Sequence, residues 1–436
     1  MPNKKKIFIS YSWANTEIAN EIEKDLSQLQ FSFVRDIHDI KYKDSITNFM
    51  EEIRDCDFAI LLISEKYLKS KNCMKEVLHV LKDKNYEEKI LPIIVDNPSF
   101  YSTPGRIKYS QYWQDEKNEV DKLLSTLPTT SIVKEIAELK ILEDIAHNIN
   151  DFLIYISDIN NITFEKLKEE GYKSIIESLG GVNLSHLASL LTISIMKDLN
   201  KKELLLDKWF EENTVISEAY AIRASIAKDK DNIEKANYNY EKALELDENN
   251  FYALNNYGYM ISRIDGQADK AKELLEKAIE LQPTFTIARL NLGVLLSHQF
   301  KDDDGAKIQY EEIISYDPTE AKAYNNLTNY YKSKKNNKKN NNKICQLYEK
   351  AIKFNPDYID ARIGYGSYLS ETMGEHNYAL KQYNEVIKID EKFHEVIEVF
   401  KQRVEKIKLD RKTVMSRNDK CFCGSKKKYK KCHGKN

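Results

Sequence analysis

Two stretches of the sequence bring together residue types that do chemistry. In RNDKCFCGSKKKYKKCHGKN, Cys421 and Cys423 form Cys-x-Cys, and after eight intervening residues come Cys432 and His433. Three thiolates and one imidazole make a closed tetrahedral zinc set with no position left for a reacting water. A segment this short cannot bury a core, so the expectation is a structural Zn2+ that organises it. The second stretch is KSKNCMKEV (69–77), where Glu76 follows Cys73 by three positions. A glutamate on a helix is ordinary surface by itself. Its meaning depends on the elements that position it.

Residues 1–130 alternate short apolar runs with helix-period segments. KIFIS (6–10), FSFVR (31–35), FAILLIS (58–64) and ILPIIVD (90–96) read as strands, with a fifth expected near Tyr109–Trp113. A helix starting from Asn15 or Thr16 turns Ile18, Ile22, Leu26 and Leu29 inward, and DSITNFMEEIRD (44–55) reads as another. A further helix runs from about Cys73 to Lys82, capped by Ser70 or Asn72, with Cys73, Val77, Val80 and Leu81 inward. This alternation predicts an α/β flavodoxin-like parallel sheet with helices on both faces.

Sites in such sheets form beyond the carboxyl ends of the strands, here in SYSWAN, DIHDIKYKD and SEKYLKSKN. Glu76 lies just after the third loop. It is i+3 from Cys73 and i−4 from Val80, so it flanks the inward helix face. Its place in the first turns suits an ionised carboxylate. The absence of a Gly-rich phosphate loop excludes Rossmann or P-loop handling of a nucleotide.

These residues resemble the Toll/interleukin-1 receptor (TIR) domain family. KIFISYSWAN is similar to its first conserved box. FVRDIHDIKYKDSI is similar to its second strand and BB-loop, with Asp36, Asp39, Ile40, Asp44 and Ser45 at familiar positions. FAILLISEKYLKSKNCMKE resembles the third strand and the Cys-x-x-Glu helix start. Asn72 stands where enzymatic members often have Trp, Tyr42-Lys43 where a Pro-Gly pair is usual, and Asn15 where Asp is common.

Many TIR domains cleave NAD at the nicotinamide–ribose bond, with a glutamate at the position Glu76 matches. The resemblance therefore implies Glu76 as the catalytic residue and NAD as substrate. Nicotinamide leaves as a neutral molecule from a cationic ring, so no general acid is needed. One fixed anion suffices to orient the ribose hydroxyls and stabilise oxocarbenium-like charge. By resemblance, Ser10 and Tyr11 line the cleft, and Cys73 is a further substrate-binding candidate. With Asn72 in place of Trp, Trp13 or Tyr42 is the candidate for an aromatic wall, or else packs in the core or on the surface. Asp36 either bonds a ribose or holds the BB-loop. Enzymatic TIR domains work as assemblies whose neighbouring BB-loops complete the site, which implies TIR–TIR self-association near Tyr42 and Lys43.

Residues 131–213 read as a helical connector with no chemical constellation. Across 214–391 one pattern recurs five times, ending at Glu248, Pro283, Pro318, Pro356 and Glu391, with spacings of 35, 35, 38 and 35. The longer interval contains KSKKNNKKNNNK, read as a polar turn insertion. Gly258, Gly293 and Gly366 fall at the close-packed position of the first helices. This resembles the tetratricopeptide repeat, a helical solenoid whose stacked hairpins bury a common core and leave a groove. The groove is the expected seat of a protein or peptide ligand, with Asn256, Asn291 and Asn326 as candidate lining. Residues 392–410 read as a capping helix, and 411–436 resemble the SEC-C motif, with Lys426 in place of its second glycine.

Residues 411–436 carry ten basic residues against one acid, Asp419, a local charge of +9 in a chain of net charge −2. Lys426, Lys427, Lys428, Lys430 and Lys431, interleaved with Phe422 and Tyr429, suit nucleic acid or an acidic protein surface. FAILLI (58–63), the longest apolar run, is far too short for a membrane span, which needs about 20 residues. With no secretory h-region, a cytoplasmic protein is expected. Together these readings predict a TIR-type NAD glycohydrolase in bacterial antiviral defence signalling, switched on by oligomerisation or by partners at the repeats or zinc tail. The alternatives are a non-enzymatic TIR adaptor, or a nucleic-acid-binding regulator acting through the tail.

Overall fold

The computed structural model describes residues 5–35, 55–125, 133–159, 161–180, 185–334 and 338–414. It divides into two units, residues 1–288 and 289–436.

The first unit is built on a parallel sheet of five strands, β1 (Lys6–Ser10), β2 (Ser32–Val34), β3 (Phe58–Ile63), β4 (Ile90–Ile94) and β5 (Ile162–Thr163), in the order β2-β1-β3-β4-β5. Phe8 of β1 lies opposite Val34 of β2 and Ala59 of β3. Successive strand side chains point to opposite faces, so apolar strands supply two cores. Ile7, Ile9, Phe33, Ile60, Leu62 and Ile93 face helix α1 (Thr16–Ser27), packing on Ala19, Ile22 and Leu26. Phe8, Val34, Ala59, Leu61 and Ile63 face the other way. There they meet α3 (Lys71–Val80), which follows the short α2 (Glu65–Leu68).

The chain after β4 departs from expectation. Tyr109–Trp113, expected as a strand, lies inside α5 (Thr103–Leu124), which follows the short α4 (Tyr86–Lys89). Tyr109 and Trp113 are one helical turn apart, so their bulk falls on one buried face, and Trp113 Nε1 donates to the Leu68 carbonyl at 3.0 Å. Helix α6 (Val133–Asp158) then covers the α3 face with Leu142, Ile145, Ile149 and Phe152. The last strand is β5, two residues long, with Ile162 opposite Ile93 of β4. The helix expected over 44–55 falls, up to residue 54, outside the described residues.

Beyond β5 the chain returns to the α1 side of the sheet. Helices α7 (Phe164–Glu169), α8 (Lys173–Gly180), α9 (Ser185–Ile195) and α10 (Leu199–Glu212) bring Leu167, Tyr172, Ile176, Leu191 and Leu206 into the core that holds Ile22 and Leu26. Ala219, Ile222 and Ile226 of α11 (Ser217–Asp229) join it. Tyr172 donates to Asp25 Oδ2 at 2.9 Å, and Gln30 Nε2 donates to Asp247 Oδ2 at 3.0 Å and to Glu218. Helices α7 to α11 therefore share one apolar core with the sheet.

From Ser217 onward the helices alternate as hairpins. In the first unit α11 pairs with α12 (Ile233–Leu246), and α13 (Phe251–Ile261) with α14 (Ala268–Leu281). A Cβ on Gly258 would stand 3.0 Å from Leu275 Cγ, the close approach expected at that position. The chain continues through α15 (Thr286–His298), α16 (Asp303–Tyr316), α17 (Ala321–Ser333), α18 (Lys338–Phe354), α19 (Ile359–Tyr368), α20 (His376–Ile389) and α21 (His394–Val414). In the second unit a Cβ on Gly366 would meet the Tyr383 ring at 2.5 Å.

The polar insertion is not all turn. Lys338–Lys343 already belong to α18, which has 17 residues where α12, α14, α16 and α20 have 14. Lysine is a good helix former, and Ile344 and Leu347 bury the face of the helix thus extended. Among the described residues no helix is long and apolar enough to cross a membrane.

Candidate active site

The strand alternation that buries Phe8 also sends Ser10, two residues on, to the α3 side of the sheet. Helix α3 starts where Ser70 caps it, its hydroxyl accepting from the Cys73 N–H at 3.4 Å. Cys73, Glu76, Val77 and Val80 then form its buried face. Glu76 is only 3% exposed, and Ser10 Oγ donates to its Oε2 at 2.6 Å. Tyr67 OH, on α2, is 2.8 Å from the same Ser10 oxygen. Three side chains from β1, α2 and α3 thus meet at the carboxyl end of the sheet, and all are buried. Glu76 is the sixth residue of α3. The helix dipole acts mainly in the first turn, and the Ser10 hydroxyl supports a charge on Glu76 directly.

Two further contacts brace this edge. Cys73 Sγ donates to the Tyr11 carbonyl at 3.4 Å, tying α3 to the chain leaving β1. Ser64 Oγ donates to Asn15 Oδ1 at 2.8 Å and caps α2 by accepting from the Tyr67 N–H at 3.1 Å. The loops after β1 and β3 are therefore joined. Nearby, burial alone would raise the Glu65 carboxyl, but hydrogen bonds from Lys69 and Tyr109 hold it below its ordinary value.

The residues singled out in the sequence separate here. Ser10, Cys73 and Glu76 gather around the ends of β1 and β3. Tyr11 contributes its backbone carbonyl to that group, while its ring belongs to the core on the opposite face. There Arg35, itself 1% exposed, lies 4.6 Å from the Tyr11 ring centre and donates to its hydroxyl at 2.6 Å. Arg35 also donates to Asn20 at 2.6 Å and to Glu23 at 2.8 Å, so its charge is paired. Trp13 is 64% exposed on the turn after β1, and Asn72 is exposed on the first turn of α3.

Asp36 and Tyr42, with the rest of the BB-loop, lie outside the described residues, as do Cys421, Cys423, Cys432 and His433. Among the described residues no cluster of His, Cys, Asp or Glu is arranged to hold a metal. Sequence reasoning missed Tyr67 and Arg35. The signal for Tyr67 was its place three residues after the capping Ser64, and for Arg35 a lone charge closing the apolar strand FSFVR.

Three parts of the chain match known families. The TIR domain family matches residues 7–124, the tetratricopeptide repeat family matches 217–250 and 239–273, and the SEC-C motif matches 417–435. No curated protein matches the chain. Similar solved structures include PilW, described as a type IV pilus biogenesis factor, at 16% identity over 47% of this chain and 91% of that one, with a TM-score of 0.40. PilF of Pseudomonas aeruginosa matches at 18% identity over 51% of this chain and 93% of that one, with a TM-score of 0.39. YrrB, described as a tetratricopeptide repeat protein with an unusual peptide-binding site, matches at 25% identity over 45% of this chain and 92% of that one, with a TM-score of 0.30. The chain thus joins a TIR domain, tetratricopeptide repeats and a SEC-C motif, the make-up of a TIR-type signalling or scaffold protein.

Proposed function

We propose that the TIR domain is an NAD glycohydrolase with Glu76 as its catalytic carboxylate. The observation that carries this reading is the 2.6 Å hydrogen bond from Ser10 to Glu76 at the carboxyl ends of β1 and β3. A hydroxyl aimed at one carboxylate oxygen favours the ionised form and fixes its direction. In the reaction the bond between ribose C1′ and the nicotinamide nitrogen breaks. The electron pair leaves with nicotinamide, which becomes neutral, and the Glu76 anion stabilises the positive charge growing on the ribose. Attack by water on C1′, with loss of one proton to solvent, gives ADP-ribose. Attack by an adenine nitrogen gives a cyclic form.

The low exposure of Glu76 makes activation part of the proposal. Substrate reaches the carboxylate after the residues around it rearrange, on TIR–TIR association or on engagement of a protein or peptide by the repeats. The donor set of Cys421, Cys423, Cys432 and His433 fits a structural Zn2+, which would pin the tail and present its lysines to an acidic partner. In this reading the chain is an NAD-consuming effector in bacterial antiviral defence. The test is nicotinamide release from NAD by the full chain, free in solution and concentrated on a surface that enforces assembly. Release only in the assembled state supports the reading, and none in either state defeats it.

A second reading rests on the same burial. A glutamate this enclosed also serves as a fixed link between β1 and α3, and the domain then acts as an adaptor that only recruits other TIR domains. Full self-association without nicotinamide release would favour it.

A further inference from the structure

We infer that Tyr67 is a positioning residue that acts on Glu76 through Ser10. The inference rests on the enzymatic reading above. The Ser10 hydroxyl has one proton, and that proton lies on Glu76 Oε2 at 2.6 Å. In the 2.8 Å contact between Ser10 and Tyr67, Tyr67 is therefore the donor and Ser10 the acceptor. The result is a directed chain, Tyr67 O–H to Ser10 O–H to the Glu76 carboxylate. Its three members are 0%, 1% and 3% exposed, so bulk water competes little with either bond.

The direction matters. Burial alone disfavours a charged carboxylate, and a hydroxyl already accepting one hydrogen bond is a stronger donor for the next. Tyr67 thus polarises Ser10, and Ser10 holds Glu76 in one rotamer. The tyrosine is well fixed for this task. It follows the Ser64 cap, its N–H bonds to the Ser64 hydroxyl at 3.1 Å, and its ring is packed in the core with Phe8, Cys73 and Met74. Tyr67 sits on α2 and Glu76 on α3, so the chain of bonds also fixes the two helices against β1.

Acting through Ser10 makes a specific claim about non-additivity. Tyr67→Phe keeps the ring and removes only the hydroxyl. In the full chain, kcat for nicotinamide release falls about fivefold, roughly the effect of one hydrogen bond, while KM stays within twofold. Ser10→Ala lowers kcat by at least as much. The double variant Ser10→Ala/Tyr67→Phe is no worse than Ser10→Ala alone. Ser10→Thr, which keeps a hydroxyl, restores most of the rate. An unchanged kcat in Tyr67→Phe, or losses that multiply in the double variant, would overturn the inference.

The same cycle read by thermal midpoint needs no catalysis. Tyr67→Phe lowers the midpoint by about 1–3 °C in the wild-type background and leaves it unchanged with Ser10→Ala. Equal drops in both backgrounds show that Tyr67 does not act through Ser10, and the inference fails even if the enzyme is active. A wild-type chain that releases no nicotinamide in any state, yet shows the coupling, overturns the enzymatic reading and with it the catalytic task of Tyr67.

Discussion

Tyr172 donates its hydroxyl to Asp25 Oδ2 at 2.9 Å across 147 residues of sequence. One partner is on α1, beside the sheet, and the other follows β5. The contact is polar and local, but it lies within the core in which Leu26, Leu167, Ile176 and Ile222 are packed together. The apolar face of α1 is therefore covered by this chain's own later helices, and the TIR sheet is complete only when residues well beyond 124 are present.

A fragment of residues 1–130 should accordingly fail as a soluble folded domain. It lacks β5, α6 and every helix that covers Ile22 and Leu26. A fragment ending after Leu246 keeps them and should fold. Circular dichroism and size-exclusion chromatography of the two fragments check this. A monomeric, cooperatively folding 1–130 fragment would contradict it.

A second prediction concerns the junction of α10 with the first hairpin. Hydrogen bonds from Lys230 and Lys235 hold the Glu203 carboxyl down, at about 2, against an ordinary value of 4.5. A depressed carboxylate stabilises the folded state above its unfolded value, and that contribution is lost as pH falls through the folded one. Glu203→Gln should therefore lower the thermal midpoint at pH 7 and make no difference near pH 2. Because the lysines are partly exposed, the loss at neutral pH is small, about 0.5 kcal/mol. An equal effect at both pH values would show that packing rather than charge is responsible.

Gly366→Ala should destabilise the second unit. The added methyl would lie 2.5 Å from Tyr383 Cε1, and the Tyr383 ring is itself 1% exposed. Overpacking of this kind costs about 1–3 kcal/mol. Urea unfolding measures it, and a wild-type midpoint would show that the ring moves aside freely.

Much of this organisation was legible in the chain because its period matched its structure. Phe58–Ile63 reads as a strand buried on both faces, and Ile60 and Leu62 do separate from Ala59, Leu61 and Ile63. Ser70 was a visible cap for α3. Two features were hidden for physical reasons. Strand β5 is two residues, too short to show a period, and depends on pairing with Ile93 and Ile94. Tyr109 and Trp113 have β propensity, but their spacing of four fits a helix face, and the Leu68 carbonyl and apolar core decide the outcome. At the candidate site, the motif singled out Glu76. The Ser10 contact was implicit in strand parity, since Phe8 and Ser10 share the face that α3 covers. The Tyr67 hydroxyl depended on how α2 turns after Ser64, which no pattern specifies.

The tail gives a separate prediction. The purified chain should carry one zinc per molecule by elemental analysis, and Cys421→Ser/Cys423→Ser should abolish it. Nicotinamide release by the concentrated chain should survive that change, because a zinc held by three thiolates and one imidazole would have no open position for chemistry. Zinc content unchanged in the double variant would exclude these thiols as ligands.

The central claim rests on a single carboxylate, and one comparison tests it most directly. Full-length wild type and Glu76→Gln, equally folded and assembled on the same surface, are incubated with NAD and nicotinamide is followed over time. Glutamine keeps the shape and can still accept from Ser10, so only the charge is lost. The prediction is steady release by the wild type and a loss of at least 100-fold, about 2.7 kcal/mol of transition-state stabilisation, in the variant. Equal rates in the two proteins would contradict it.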